Sequence, residues 1–251
     1  MRERILVGLI ALPVVLIPIW FGGIWLALFL LLVGIGGGIE FYRLLQTGGY
    51  YPNRLYGLGW LVLLILSHWL PQYLPFSLVV MAGMIITLLD AMHQKQMPIS
   101  TWLSTAIGAL YLGTMLGQAL ALRQLPNGLW WVYLGLALTW MNDSAAYFVG
   151  VNFGRHKLWP RLSPKKSWEG TIAGWVVAAI VGYVWIVITP LSATHSPWFG
   201  AIVGFVAGIL ALFGDLSIST IKRQVGVKDT GGIFRAHGGV LDRLDSLLFV
   251  L

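Results

Sequence analysis

The segment from Gly214 to Asp245 carries the residue types best suited to ionic chemistry. It holds four of the nine carboxylates, Asp215, Asp229, Asp242 and Asp245. It also holds five of the sixteen Lys and Arg, namely Lys222, Arg223, Lys228, Arg235 and Arg243. Apolar sequence lies on both sides. Charges of both signs set against membrane-like sequence are costly unless they bind something, so a functional site is the leading reading. Asp215, Ser219 and Lys222 fall at i, i+4 and i+7 and share one helix face, with Arg223 beside it. Lys228-Asp229-Thr230-Gly231-Gly232 breaks that helix, and His237-Gly238-Gly239 makes a turn whose backbone can approach a ligand closely. Asp242 and Asp245 open a last helix three residues apart, a placement its dipole also favours. Together with Asp215 they suit a hard cation holding phosphates, since Mg²⁺ takes one or two carboxylates and completes its shell with phosphate oxygens. His237 reads as a hydrogen-bond donor or turn stabiliser, because no second histidine sits beside it at metal-pair spacing.

Two more polar clusters precede this one. Asn142-Asp143-Ser144 lies late in an apolar stretch, with Asp143 and Tyr147 on one helix face. Asp143 there needs a partner: a ligand, a metal or hydroxyl, or a structural ion pair. Ser163-Pro164-Lys165-Lys166-Ser167-Trp168-Glu169-Gly170 sits in the longest polar loop. Ser167 can cap a helix starting near Trp168. Adjacent lysines beside exposed backbone N–H groups make a phosphate cradle, or a basic loop resting on anionic lipid heads.

These clusters must be positioned by the elements around them, and those elements are oily. Of 251 residues 58% are hydrophobic and only 10% charged, against about 25% charged in a soluble domain. An all-α, polytopic membrane protein is expected, as a single membrane domain without a sizeable soluble part. Thirteen Trp fit many membrane interfaces, and the absence of Cys excludes disulfides and thiol catalysis. Nine candidate spans are expected at about 4–20, 23–42, 55–70, 75–92, 101–122, 129–149, 171–190, 198–218 and from 241 onward. The ninth stops at Leu251 after about ten residues, too short to cross. With the N-terminus in the cytoplasm, every Lys and Arg except Arg123 falls on the inner side, as the positive-inside rule requires. All three polar clusters then lie at cytoplasmic helix ends. Gly200, Gly204 and Gly208 repeat on one helix face and predict close helix packing.

The run Ser219-Thr220-Ile221-Lys222-Arg223, then Lys228-Asp229, then His237-Gly238-Gly239-Val240-Leu241-Asp242-Arg243-Leu244-Asp245 resembles the signature of the phosphatidate cytidylyltransferases. The Asn142 and Ser163 clusters resemble two further blocks of that family, in the right order. The likeness is specific over residues 105–250, and over the first hundred it extends only to hydropathy. It divides the chain into N-terminal helices, 1–100, and a catalytic membrane region, 101–251. It implies transfer of a cytidylyl group from CTP to phosphatidate, with release of pyrophosphate, at the cytoplasmic face of the plasma membrane. It also implies Mg²⁺ on Asp215 and Asp242, with room for a second, monovalent cation. Lys222, Arg223, Lys228, Asp229, His237, Arg243 and Asp245 would be catalytic. Asn142, Asp143, Ser163, Lys165, Lys166, Ser167, Ser219, Gly238 and Gly239 would bind substrate. CTP, phosphatidate and the bilayer are the expected partners, with a homodimer allowed and no nucleic acid. The alternatives are a CTP-dependent enzyme acting on another membrane lipid, such as an isoprenoid-ether phosphate or polyprenol, and a secondary transporter. A transporter would more often show broken spans in two related halves, which this chain lacks.

Overall fold

The computed structural model describes residues 2–95, 97–231 and 239–251, with side chains from residue 12 onward. Eight long helices account for most of them: α1 (Arg2–Phe21), α2 (Gly23–Thr47), α3 (Arg54–Trp69), α4 (Phe76–Met92), α5 (Pro98–Gln124), α6 (Gly128–Phe153), α7 (Trp168–Ile188) and α8 (Pro197–Gln224). Each coincides with an expected span. Four of them, α2, α5, α7 and α8, are long and apolar enough to cross a bilayer. The nine crossings expected from hydropathy are therefore not all supported. The stretch from 241 is a four-residue helix, α9 (Leu241–Leu244), followed by a 3-10 turn over Leu247–Phe249.

The chain divides into two compact units, Met1–Leu125 with Val225–Leu241, and Pro126–Gln224 with Asp242–Leu251. In the first unit α3 and α5 close on Tyr42 of α2, which is fully buried and donates its hydroxyl to the Thr105 carbonyl at 2.8 Å. Gly57 and Gly108 leave room for that ring, since a Cβ at either would lie within 2.4 Å of it. The Asn53 side chain caps α3 by accepting from the N–H groups of Leu55 and Tyr56, satisfying donors a helix start leaves open. Arg123, the one cation expected outside, donates to the carbonyls of Ile19 and Trp20 at the end of α1.

The second unit is built on the α7–α8 pair. A Cβ at Gly182 would sit 2.0 Å from the Gly200 carbonyl, and one at Gly204 2.1 Å from that of Ala178, so the two backbones touch. This is the close packing that the glycine repeat predicts, and it suits a bilayer, where lipid tails offer helices no hydrophobic reason to associate. α6 lies along α7, with Gly170 against Gly150 and Gly174 against Asn142. The basic loop between α6 and α7 is more ordered than expected. It forms an antiparallel hairpin of β1 (Lys157–Trp159) and β2 (Ser163–Ser167), with Lys157 opposite Ser167 and Trp159 opposite Ser163. Ser167 then caps α7 by accepting from the Gly170 N–H at 3.3 Å. Glu169 grips the other side of the hairpin, taking the His156 backbone N–H at 3.1 Å and its ring Nδ1 at 2.6 Å.

Candidate active site

A cavity of about 530 Å³ opens in the second unit between the inner parts of α6, α7 and α8 and the hairpin. Asn142 and Asp143 reach it from α6, Lys165 and Lys166 from β2, Ser167 from the α7 cap, and Asp215 from α8. Three stretches spread over more than seventy residues of sequence thus bring their polar groups to one place. Lys157 of β1 and Trp175 of α7 join them, and sequence reasoning missed both. Lys157 becomes legible only once the loop is known to be a hairpin.

The ionic pattern is specific. Lys166 pairs with Asp215, both about a quarter exposed. Asp215 also accepts from the Ser219 hydroxyl at 3.2 Å, which confirms the i, i+4 face read from the sequence. Lys222 pairs with Asp242 at 2.7 Å with both side chains largely buried. Asp143 accepts from the Asn142 side-chain amide at 3.2 Å, and Asp245 from the Ser246 backbone N–H at 2.7 Å. Asp143 and Asp245 each lie close enough to Asp215 to feel its charge. Asp245 follows α9 instead of lying within it, so the two acids of the last segment do not share a helix turn as expected. Three carboxylates and two lysines thus lie within electrostatic reach of one another, and like charges held this near raise the cost of keeping every acid ionised. The Oδ1 of Asn142 and the Nε1 of Trp175 are buried with no hydrogen-bond partner among the described residues. Buried polar groups are nearly always satisfied, so an orphan acceptor and an orphan donor beside a cavity mark places for a ligand or water.

The remaining expected residues fall elsewhere. Arg223 reaches back to the Leu162 carbonyl at 3.4 Å, and Ser163 belongs to the hairpin pairing. Arg243 is exposed on α9. Lys228, Asp229 and Gly239 belong to the first unit, the first two with exposed side chains. His237 and Gly238 lie outside the described residues.

Comparison with known proteins bears on this geometry. The model of the cytidylyltransferase family matches residues 2–251. This chain belongs to that family. Among its relatives, a protein of Brucella suis named phosphatidate cytidylyltransferase is 32% identical, over 99% of this chain and 89% of its own. One of the same name from Bacillus subtilis is 30% identical over 100% of this chain and 95% of its own. A third, from Thermotoga maritima, is 35% identical over 70% and 66%. Family membership therefore covers α1 to α5 as well, where the sequence analysis found likeness in hydropathy alone.

Proposed function

We propose that this protein transfers the cytidylyl group of CTP to phosphatidate, giving CDP-diacylglycerol and pyrophosphate. The observation that carries the proposal is the cavity itself. Lysines and carboxylates line it together, at one end of apolar helices, in a chain related over its full length to proteins named for this reaction.

A phosphate oxygen of phosphatidate is already anionic at neutral pH and needs no strong base. It attacks the α-phosphorus of CTP, a new P–O bond forms, and the bond to pyrophosphate breaks with its electrons leaving on the pyrophosphate oxygen. The protein's task is to bring two polyanions together and to stabilise charge on the leaving group. Lys165, Lys166 and Lys157 line the cavity together and would hold phosphates. Lys166 rests on Asp215, from which its ammonium can turn to an incoming phosphate. Asn142 Oδ1 and Trp175 Nε1 offer an acceptor and a donor to a neutral polar group of the substrate.

The donor set fits Mg²⁺, since the acids supply hard oxygens. Among the described residues no three of His, Asp and Glu stand close enough to enclose an ion. One or two carboxylates with substrate phosphates completing the shell is the mode Mg²⁺ ordinarily adopts. By the family resemblance Asp215, which lines the cavity, and Asp242, which is paired with Lys222 and does not line it, would hold the ion, and when bound it would neutralise charge on the triphosphate. The site would face the cytoplasm from the plasma membrane, with acyl chains left in the bilayer. Purified protein given CTP, Mg²⁺ and phosphatidate should release pyrophosphate, and lipid-free and ether-lipid controls should not. Equal release with the ether lipid would move the activity to another acceptor.

A further inference from the structure

Glu40 is the one carboxylate within the apolar run of α2, and it is completely buried. An ionisable group in such a run is rare unless it has a task. Its Oε2 accepts the Leu241 backbone N–H at 3.0 Å and lies 3.4 Å from the Thr230 hydroxyl. Two glycines press on the same carboxylate. A Cβ on Gly231 would lie 2.6 Å from Oε1, and one on Gly239 2.3 Å from Oε2. Thr230, Gly231, Gly239 and Leu241 thus meet one side chain, although the first pair and the second are separated by seven residues of sequence. Only glycine lets backbone come this near a carboxylate at both places. The amide that Glu40 holds is one peptide unit ahead of Asp242.

We infer that Glu40 is a positioning residue for the transfer reaction. It clasps the two ends of the signature segment from Thr230 to Leu241 and so sets where the chain enters Asp242. The inference rests on the proposed function for its kinetic part, while the clasp itself can be read without turnover.

The test uses the full-length protein in detergent or nanodiscs. Glu40→Gln keeps a carbonyl oxygen that can accept from Leu241, whereas Glu40→Leu keeps the volume and removes the acceptor. Glu40→Leu should lower kcat about 100-fold, the effect of misplacing reacting groups by about 1 Å, while KM for CTP changes little. Glu40→Gln should restore most of the rate. Hydrogen exchange at the Leu241 amide should accelerate in the Leu variant and not in the Gln variant. Wild-type kcat in Glu40→Leu overturns the assignment, as does unchanged exchange or a Gln variant as impaired as the Leu variant. A rate that falls only with the folded fraction overturns it too. If Glu40→Leu does not fold, Gly231→Ala decides, because the three atoms nearest its Cβ would all belong to Glu40: it should be impaired, and adding Glu40→Asp, which withdraws the carboxylate by one methylene, should partly restore it. Absence of restoration overturns the clasp. If wild-type protein turns over no phosphatidate, the proposed function fails, and the exchange measurement still decides the clasp.

Discussion

At the scale of residues, the ion pairs carry the sharpest expectations. Lys222 and Asp242 are 12% and 15% exposed, so their pairing is largely withdrawn from solvent. Removing one member of such a pair costs about 3 kcal/mol or more, because the remaining charge loses its counter-ion while still largely buried. Lys222→Met should therefore lower apparent thermal stability in detergent, and adding Asp242→Leu should recover much of it. Activity should stay absent in the double variant, because it lacks two residues that the transfer is expected to need even where the fold is recovered. Asp215→Asn keeps the size and hydrogen bonding of the side chain and should abolish Mg²⁺-dependent pyrophosphate release while the protein still inserts. Near-normal turnover would remove Asp215 from the metal assignment. Lys165→Ala combined with Lys166→Ala should weaken use of CTP or phosphatidate, at about 2–4 kcal/mol of transition-state stabilisation per lost contact. Unchanged kinetics would return β2 to the role of a basic surface resting on lipid heads.

At the scale of elements, the cavity depends on how closely α7 and α8 approach. Their contact is backbone on backbone at Gly182, Gly200 and Gly204, so any added side chain must push the helices apart. Gly204→Val should destabilise the second unit by about 2 kcal/mol, the ordinary cost of overpacking. It should also lower activity, because Asp215 rides on α8 while Thr171 and Trp175 ride on α7. A melting curve and a pyrophosphate assay on the same preparation check both parts. The hairpin is held in a different way, by Ser167 at the α7 cap and Glu169 on His156. It works as a small rigid arm that presents Lys157, Lys165 and Lys166 from paired strands.

At the scale of the whole molecule, the expected orientation in the membrane can be tested with little disturbance, because the chain has no cysteine of its own. Arg161 in the hairpin turn and Ala193 in the turn after α7 are both exposed. A membrane-impermeant maleimide added to intact cells should label Ala193→Cys and spare Arg161→Cys, and inverted vesicles should give the opposite result. The reverse pattern would place the basic clusters outside, away from cytoplasmic CTP. Arg123, the exception to the charge rule, spends its guanidinium on the carbonyls at the end of α1, a structural task for the one cation expected on the outer side.

The sequence by itself determined the helices and the chemical inventory. Apolar runs long enough to span a bilayer must satisfy their backbone internally, and they fold as helices wherever they finally pack. The eight long helices therefore fell where hydropathy put them, and the i, i+4 spacing of Asp215 and Ser219 survived intact, because both are local properties. Tertiary structure alone decided which polar groups meet. The pairing of Lys166 with Asp215 joins a strand to a helix two elements further on, and no periodicity encodes it. The hairpin was hidden because its strands are only three and five residues long, and β2 is polar and carries a proline. The break of the stretch from Leu241 into α9 and a 3-10 turn was hidden because an apolar run reads alike in a helix and in a packed turn. Glu40 is a lone acid in an oily helix, a signal that the reading of the sequence passed over. Its partners lie 190 residues or more away along the chain, and only folding brings Thr230 and Leu241 to it.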